Sequence, residues 1–130
     1  AVKFSTHDVK SPLLNAEAAC GACHTDVAYV TERAALIQDQ VRQTMDDTED
    51  AIIAAIQAIE AAETMPNVDT ELLSEARNLH REAQLRWDFI AAENSMGFHN
   101  PEEALRILAA STNLARQAEL KAFQAANAQK

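Results

Sequence analysis

Three long stretches of the chain repeat apolar residues every three or four positions, which is the spacing of one helix face. The pattern predicts helices over about 25–64, 70–94 and 101–126, and neither glycine nor proline interrupts the first of these. The apolar positions are, helix by helix, Val30, Ala34, Ile37, Val41, Met45, Thr48, Ile52, Ile56 and Ile59; Leu72, Ala76, Leu79, Ala83, Trp87, Ile90 and Ala91; Ala104, Leu105, Leu108, Thr112, Ala115, Ala118, Ala122 and Phe123.

Helix-start signals separate these stretches. Asp69 is placed to cap the second helix, after a link that contains Pro66. Asn100 is placed to cap the third, with Pro101 in the first helical position and Glu103 expected to reach back towards the cap. Short links of this kind join antiparallel neighbours.

The composition agrees with an all-α fold. The 130 residues include only two glycines and three prolines, and alanine is abundant. We therefore predict an irregular N-terminal segment followed by three long helices of the helical-bundle type. A helix over 25–64 would be roughly 60 Å long, against roughly 28–36 Å for a compact domain of this size. It is expected either to bend or to pack outside the chain, and we predict a homodimer built on it.

The formal net charge of −9 limits the partners. It argues against nucleic acid and anionic membranes, which attract clustered lysine and arginine, and favours cationic partners. No apolar stretch is long enough to span a bilayer. The first residues do not form a signal peptide, so the sequence is expected to be either a mature chain or a piece of a longer one.

The two cysteines of the chain stand in the run Cys20-Gly21-Ala22-Cys23-His24. This is the spacing of covalent haem c attachment, in which two thiols bond to the haem vinyl groups and the adjacent histidine binds the iron. We predict one haem c, held by Cys20 and Cys23, with His24 as the proximal iron ligand. Because haem c is attached outside the cytoplasm, the expected compartment is the periplasm.

Three other readings of the cysteines are weaker. A thioredoxin-like motif would need a βαβ setting, and the pattern predicts no strand. A zinc site would need two further ligands, of which His7 could supply only one. A disulfide between cysteines this close would be strained.

Three histidines are candidates for the distal iron position: His7 in the irregular lead-in, His80 in the second helix and His99 in the link before the third. His80 is more typical of a surface or hydrogen-bonded histidine, whereas the position of His99 before a helix start favours a ligand role. Met96 is expected to fill a packing gap. We predict no catalytic residue, and interpret the acidic run 46–50 as a solvated face and Trp87 as core.

Several runs resemble the C-terminal portion of the ammonia-forming, pentahaem cytochrome c nitrite reductases. They are His7-Asp8-Val9-Lys10-Ser11-Pro12-Leu13, Cys20-Gly21-Ala22-Cys23-His24, Leu79-His80-Arg81-Glu82-Ala83-Gln84, Arg86-Trp87-Asp88-Phe89, and Glu93-Asn94-Ser95-Met96-Gly97-Phe98-His99-Asn100-Pro101. The similarity extends over nearly the whole chain. It implies a periplasmic enzyme that reduces nitrite to ammonium and dimerises through long C-terminal helices.

The resemblance also implies roles for single residues. Cys20, Cys23 and His24 match the last, electron-transfer haem, while His7 and His99 match distal ligands of two earlier haems. The catalytic haem and the other attachment motifs have no counterpart in this sequence. The expected function is therefore an electron-transfer haem c module, whose redox partners are other proteins or the other haems of a parent enzyme. The alternatives are a stand-alone monohaem cytochrome for electron transfer or gas binding, and a structural dimer in which haem serves packing.

The predicted domain organisation is a haem c attachment segment over 1–24 and a three-helix dimerisation domain over 25–130, together forming one structural unit. Whether the chain by itself is an enzyme stays open at this point, because it lacks a match to the catalytic haem.

Overall fold

The computed structural model describes residues 10–128 and contains four α-helices after one short 3-10 turn. The turn is Pro12–Asn15, and the helices are α1 (Ala16–Cys20), α2 (Val27–Glu63), α3 (Thr70–Ala92) and α4 (Pro101–Ala126). Residues 10–128 contain no strand, so the all-α prediction is confirmed. None of the helices described is long and apolar enough to cross a membrane.

The chain divides into two compact units, one ending at Leu36 and the other beginning at Ile37. In the first unit, the Ser11 hydroxyl accepts a hydrogen bond from the Leu13 backbone N–H at 3.3 Å and starts the 3-10 turn. The Asp26 carboxylate accepts one from the Tyr29 backbone N–H at 2.9 Å. This is an N-cap bond, and it explains why α2 begins at Val27 rather than at residue 25.

The second unit is a three-helix bundle formed by residues 37–63 of α2 with α3 and α4. One buried cluster joins the end of α2, the start of α3 and the end of α4: Ala58, Ile59, Ala62, Leu73, Ala76, Ala122 and Ala125. Another joins residues from the other ends: Val41, Met45, Ile90, Ala104 and Leu108. Successive helices are therefore antiparallel, as the short links predict. The three segments are of similar length, roughly 35–40 Å.

Most of the buried apolar residues of this bundle are alanines. Their short side chains allow polar groups on one helix to reach the backbone of the next. The Ser111 hydroxyl donates to the Ala83 carbonyl at 2.7 Å, and the Trp87 indole N–H donates to the Met45 carbonyl at 3.1 Å. The Thr48 and Thr112 hydroxyls are 2.9 Å apart. These contacts link each pair of helices at mid-bundle and fix their register.

The two predicted helix caps are confirmed. Asp69 accepts hydrogen bonds from two backbone N–H groups of α3, and Asn100 accepts one from Glu103. The reciprocal bond expected from Glu103 is replaced, because its carboxylate binds the Arg106 guanidinium at 2.7 and 2.6 Å.

The buried face of α3 includes the predicted Ala76, Ala83 and Ile90 but differs from the prediction at its first leucine. Leu73 rather than Leu72 is the more buried leucine, and the line continues through Ala76, Ala83 and Ile90. On α4, Phe123 is 52% exposed because Ala122 and Ala125 occupy the core positions beside it. Alanines fill the core positions at the start of α3 and the end of α4, so the hydrophobicity of the larger residues alone did not identify every buried position.

The indole contact of Trp87 provides a stability test. Replacing Trp87 with Phe removes the hydrogen bond to Met45 and part of a packed ring, which we expect to lower the free energy of unfolding by about 1–2 kcal/mol. The measurement is urea unfolding followed by circular dichroism. Gln117→Ala, at an exposed position of α4, is the control and should change stability by less than about 0.5 kcal/mol. Equal effects of the two substitutions would contradict a register-fixing role for Trp87.

Candidate haem site

The residues of the cysteine motif lie on one turn of helical backbone. The backbone N–H of Cys23 donates to the Cys20 carbonyl at 3.1 Å, and that of His24 donates to the same carbonyl at 2.9 Å. Residues three and four apart on such a turn share one face. The turn therefore places the backbone of the two cysteines next to that of His24, the three residues that the sequence singles out. Both thiols are free; Cys20 is half-buried, and Cys23 and His24 are exposed.

Gly21 allows the chain to leave α1 tightly. Its N–H donates to the Glu17 carbonyl at 3.1 Å, and a Cβ at this position would approach that carbonyl oxygen to 2.5 Å. A larger residue would force the backbone to shift between the two cysteines. An open groove of about 550 Å³ also lies in this unit, between residues 14–17 and residues 27–32, but the motif residues do not line it.

A second structured feature is the link between α3 and α4, organised by Glu93. The Glu93 carboxylate accepts hydrogen bonds from the Ser95 backbone N–H at 2.8 Å, the Ser95 hydroxyl at 2.9 Å and the Gly97 backbone N–H at 2.9 Å. The Gln38 side chain of α2 donates to the Ser95 carbonyl at 3.0 Å. These bonds hold the link against the bundle.

Two residues of the link have backbone conformations in the left-handed region. Met96 and Gly97 have φ of 50° and 76°. Glycine is required at the second position, because a Cβ on Gly97 would approach a Val41 methyl to 2.6 Å. The link is therefore both tightly turned and closely packed.

His99 follows this turn and is exposed. Its side chain is 80% accessible, and its Nδ1 lies 3.6 Å from Oε1 of Glu93. Its backbone N–H donates to the Ser95 hydroxyl at 3.1 Å. A small cavity of about 140 Å³ lies beside it, lined among others by Phe89, Glu93 and Ile107. The imidazole is thus presented at the surface from a fixed backbone.

The groups around Glu93 change the pKa of its carboxyl. Burial acts to raise the pKa of this carboxyl, but the hydrogen bonds from Gly97 and Ser95 and the nearby His99 outweigh burial. The pKa of Glu93 is therefore lowered from its ordinary 4.5, and the ionised carboxylate is the form that the link stabilises.

His80 has a different environment. Its Nε2 is buried and has no hydrogen-bond partner among residues 10–128. Burial, followed by the charge of Arg81, lowers the pKa of His80 below its ordinary value. The prediction that His80 is a surface or hydrogen-bonded histidine therefore holds only in part, because its Nε2 is buried without a hydrogen bond. His7 lies outside the described residues.

The acidic run of α2 is solvated, as predicted: Asp46, Asp47, Glu49 and Asp50 are all exposed. Within residues 10–128, no three His, Cys, Asp or Glu side chains come together in a way that could hold a metal ion among themselves.

A family model described as cytochrome c552 matches residues 1–130. The chain belongs to the cytochrome c552 family. Among curated relatives, the cytochrome c nitrite reductase subunit NrfA of Nitratidesulfovibrio vulgaris is 32% identical over 123 residues, and a cytochrome c-552 of Aliarcobacter butzleri is 31% identical over 125. The matches cover 89% and 92% of this chain, but the chain spans only 24% of the length of each relative.

A solved structure agrees with the family assignment. The catalytic subunit of cytochrome c nitrite reductase from Desulfovibrio desulfuricans matches with a TM-score of 0.83 at 31% identity, over 90% of this chain and 26% of that one. The resemblance to the nitrite reductase family is thereby confirmed.

Membership in a cytochrome c family implies covalently attached haem c. The cysteine motif fits this group. The two thiols are not joined to each other, the N–H groups of Cys23 and His24 both donate to the Cys20 carbonyl, and His24 is exposed. Two thiols and one imidazole are the groups that two thioether bonds and one axial ligand require.

Sequence reasoning missed the role of Glu93. The predicted second helix extended to residue 94, whereas α3 ends at Ala92 because Glu93 is extended and its carboxylate turns to the N–H groups that follow. The spacing Glu-x-Ser-x-Gly is a weak signal, since asparagine and aspartate, with shorter side chains, make such bonds more often.

The lowered pKa of Glu93 predicts a pH dependence of stability. Because the folded-state pKa lies below the unfolded value, the ionised carboxylate stabilises the fold above pH 4.5, and this contribution is lost as pH falls through the folded pKa. The difference in free energy of unfolding between the protein and Glu93→Gln should therefore shrink as pH falls below 4.5. Urea unfolding across this range measures it.

The matched control is Glu60→Gln, at an exposed position of α2. Its difference from the unsubstituted protein should vary much less over the same range. If the differences in free energy of unfolding change with pH in the same way for both variants, the hydrogen bonds to Glu93 do not stabilise the link.

Proposed function

We propose that Cys20 and Cys23 hold a single haem c by two thioether bonds, with His24 as the proximal iron ligand. Support comes from the helical turn, in which the Cys20 carbonyl binds the N–H groups of both Cys23 and His24. The chain has only two cysteines, which is enough for one such attachment. When bound, haem c supplies a one-electron redox centre. The chain's part is to tether it, orient it and provide the imidazole nitrogen.

For the distal position on an iron, we favour His99. An 80% exposed imidazole on a rigid link can reach a haem carried by another part of a larger protein, as the resemblance to the nitrite reductases implies. His80 is less suitable, because its Nε2 is buried in the bundle. His7 remains a candidate from the sequence pattern and from the resemblance.

The function that follows is electron transfer within a periplasmic cytochrome c nitrite reductase of the ammonia-forming kind. The chain corresponds to about a quarter of its relatives and has one attachment motif, so nitrite reduction is assigned to the parent protein, where the catalytic haem would lie. Because the chain has one attachment motif, a second candidate function is a stand-alone monohaem cytochrome for electron transfer or gas binding. In both cases the charge of −9 favours cationic redox partners.

Visible spectra of the reduced protein, with and without carbon monoxide, test the electron-transfer role. Sharp bands that carbon monoxide leaves unchanged indicate an iron with two protein ligands, which is the expected result if a histidine of this chain or of its dimer mate completes the site. His99→Ala should leave this spectrum unchanged if His99 serves a haem in another part of a larger protein, and should make it sensitive to carbon monoxide if His99 binds the iron held by this chain or its dimer mate. His80→Ala should leave the spectrum unchanged in both cases. A carbon monoxide complex in the unsubstituted protein would instead favour gas binding or a distal histidine that this chain lacks.

We further propose a homodimer that packs along α2, with the acidic positions 46–50 facing outward. Support comes from the length of α2, whose 37 residues correspond to roughly 55 Å. Light scattering should give twice the chain mass. A monomer at high concentration would rule the dimer out.

A further inference from the structure

We propose that Glu93 is a positioning residue for His99: its carboxylate holds the imidazole proton on Nδ1 and thereby leaves the Nε2 lone pair to bind iron. This inference rests on the proposed role of His99 as an iron ligand and adds the group that sets its tautomer. Ligating histidines commonly direct the second ring nitrogen at a carboxylate, which fixes the ring and increases its basicity.

The carboxylate is anchored independently of the imidazole. It accepts hydrogen bonds from the Ser95 N–H, the Ser95 hydroxyl and the Gly97 N–H, all between 2.8 and 2.9 Å. Because Met96 and Gly97 turn left-handed, these donors converge on one side chain. Glu93 therefore offers a fixed negative charge and does not follow the ring of His99.

The Ser95 hydroxyl fixes the spacing between the two residues. It donates to Oε2 of Glu93 and accepts from the backbone N–H of His99 at 3.1 Å. The backbone of His99 and the carboxylate are thus both tied to one oxygen. Rotation about the side-chain bonds of His99 is then the main freedom left to the pair.

The position of Nδ1 determines which tautomer is stabilised. Nδ1 lies 3.6 Å from Oε1 of Glu93, which is beyond a hydrogen bond but within ion-pair range. An N–H dipole directed at the carboxylate is attractive, whereas a lone pair directed at it is repulsive. The other carboxylate beside this cavity, Glu103, binds Arg106 through two hydrogen bonds and does not compete for His99.

The test begins with the spectrum of His99→Ala in the haem-bearing chain, which shows whether His99 binds the iron of this chain. If the spectrum is unchanged, nitrogen-15 NMR at about pH 8, where histidine is ordinarily neutral, reads the tautomer of the free imidazole. We expect Nδ1–H in the unsubstituted protein and a shift towards Nε2–H in Glu93→Gln. An Nε2–H form in the unsubstituted protein, or no shift in the variant, would overturn the proposal.

If the spectrum changes, His99 is a ligand and the reduction potential is the readout. Losing the carboxylate weakens the donor strength of the imidazole, so Glu93→Gln should raise the potential more than Glu103→Gln, which removes an equal charge from the same cavity wall. Equal shifts would overturn the proposal.

Ser95→Ala controls for disturbance of the link in both experiments. It removes the bridging hydroxyl but leaves the carboxylate and its two backbone hydrogen bonds, so its effect on the tautomer or the potential should be smaller than that of Glu93→Gln. If Ser95→Ala acts as strongly as Glu93→Gln, the effect belongs to the folding of the link and the positioning role is wrong. Both results are independent of whether the chain belongs to an electron-transfer enzyme.

Discussion

Alanine packing between α2, α3 and α4 is the constraint on which the rest of the bundle depends. Where two buried side chains are as small as Ala83 and Ala115, a neighbouring hydroxyl or indole can reach the backbone itself, and the bonds of Ser111 and Trp87 follow from this. Such contacts allow only one register, because a helix displaced by one residue would bury its polar groups without partners. The register also places the end of α3 beside the start of α4, where Ile90 and Ala104 share one buried cluster.

The link at that end of the bundle shows how a scaffold positions a chemical group. Glu93 collects the free N–H groups of the turn, Gly97 fits against Val41, and Asn100 starts α4. His99 lies between these fixed points and remains exposed. The turn that carries the two cysteines uses a simpler device, the Cys20 carbonyl, which accepts hydrogen bonds from the N–H groups of both Cys23 and His24. In both places hydrogen bonds tie down the backbone, while Cys23, His24 and His99 remain exposed.

The sequence predicted the long helices and their caps well, because helix periodicity and the side chains of Asp69 and Asn100 are local signals. It placed the ends of α2 and α3 one or two residues too far out, since Asp26 and Glu93 act through side-chain bonds that periodicity does not report. The buried face of α3 was also predicted imperfectly: Leu72 and Leu73 are equally apolar, and only the neighbouring alanines decide between them. The cysteine motif was recognisable because its spacing is a chemical requirement, whereas the Glu93–His99 pair depends on a left-handed turn that a single sequence does not specify.

Covalent haem attachment is tested most directly by mass spectrometry of the intact chain and of its proteolytic peptides, after extraction that removes non-covalent haem. We expect the chain mass plus one haem, with the added mass on the peptide that contains both Cys20 and Cys23. An unmodified chain with two free thiols, produced in cells that attach haem c to other proteins, would contradict it.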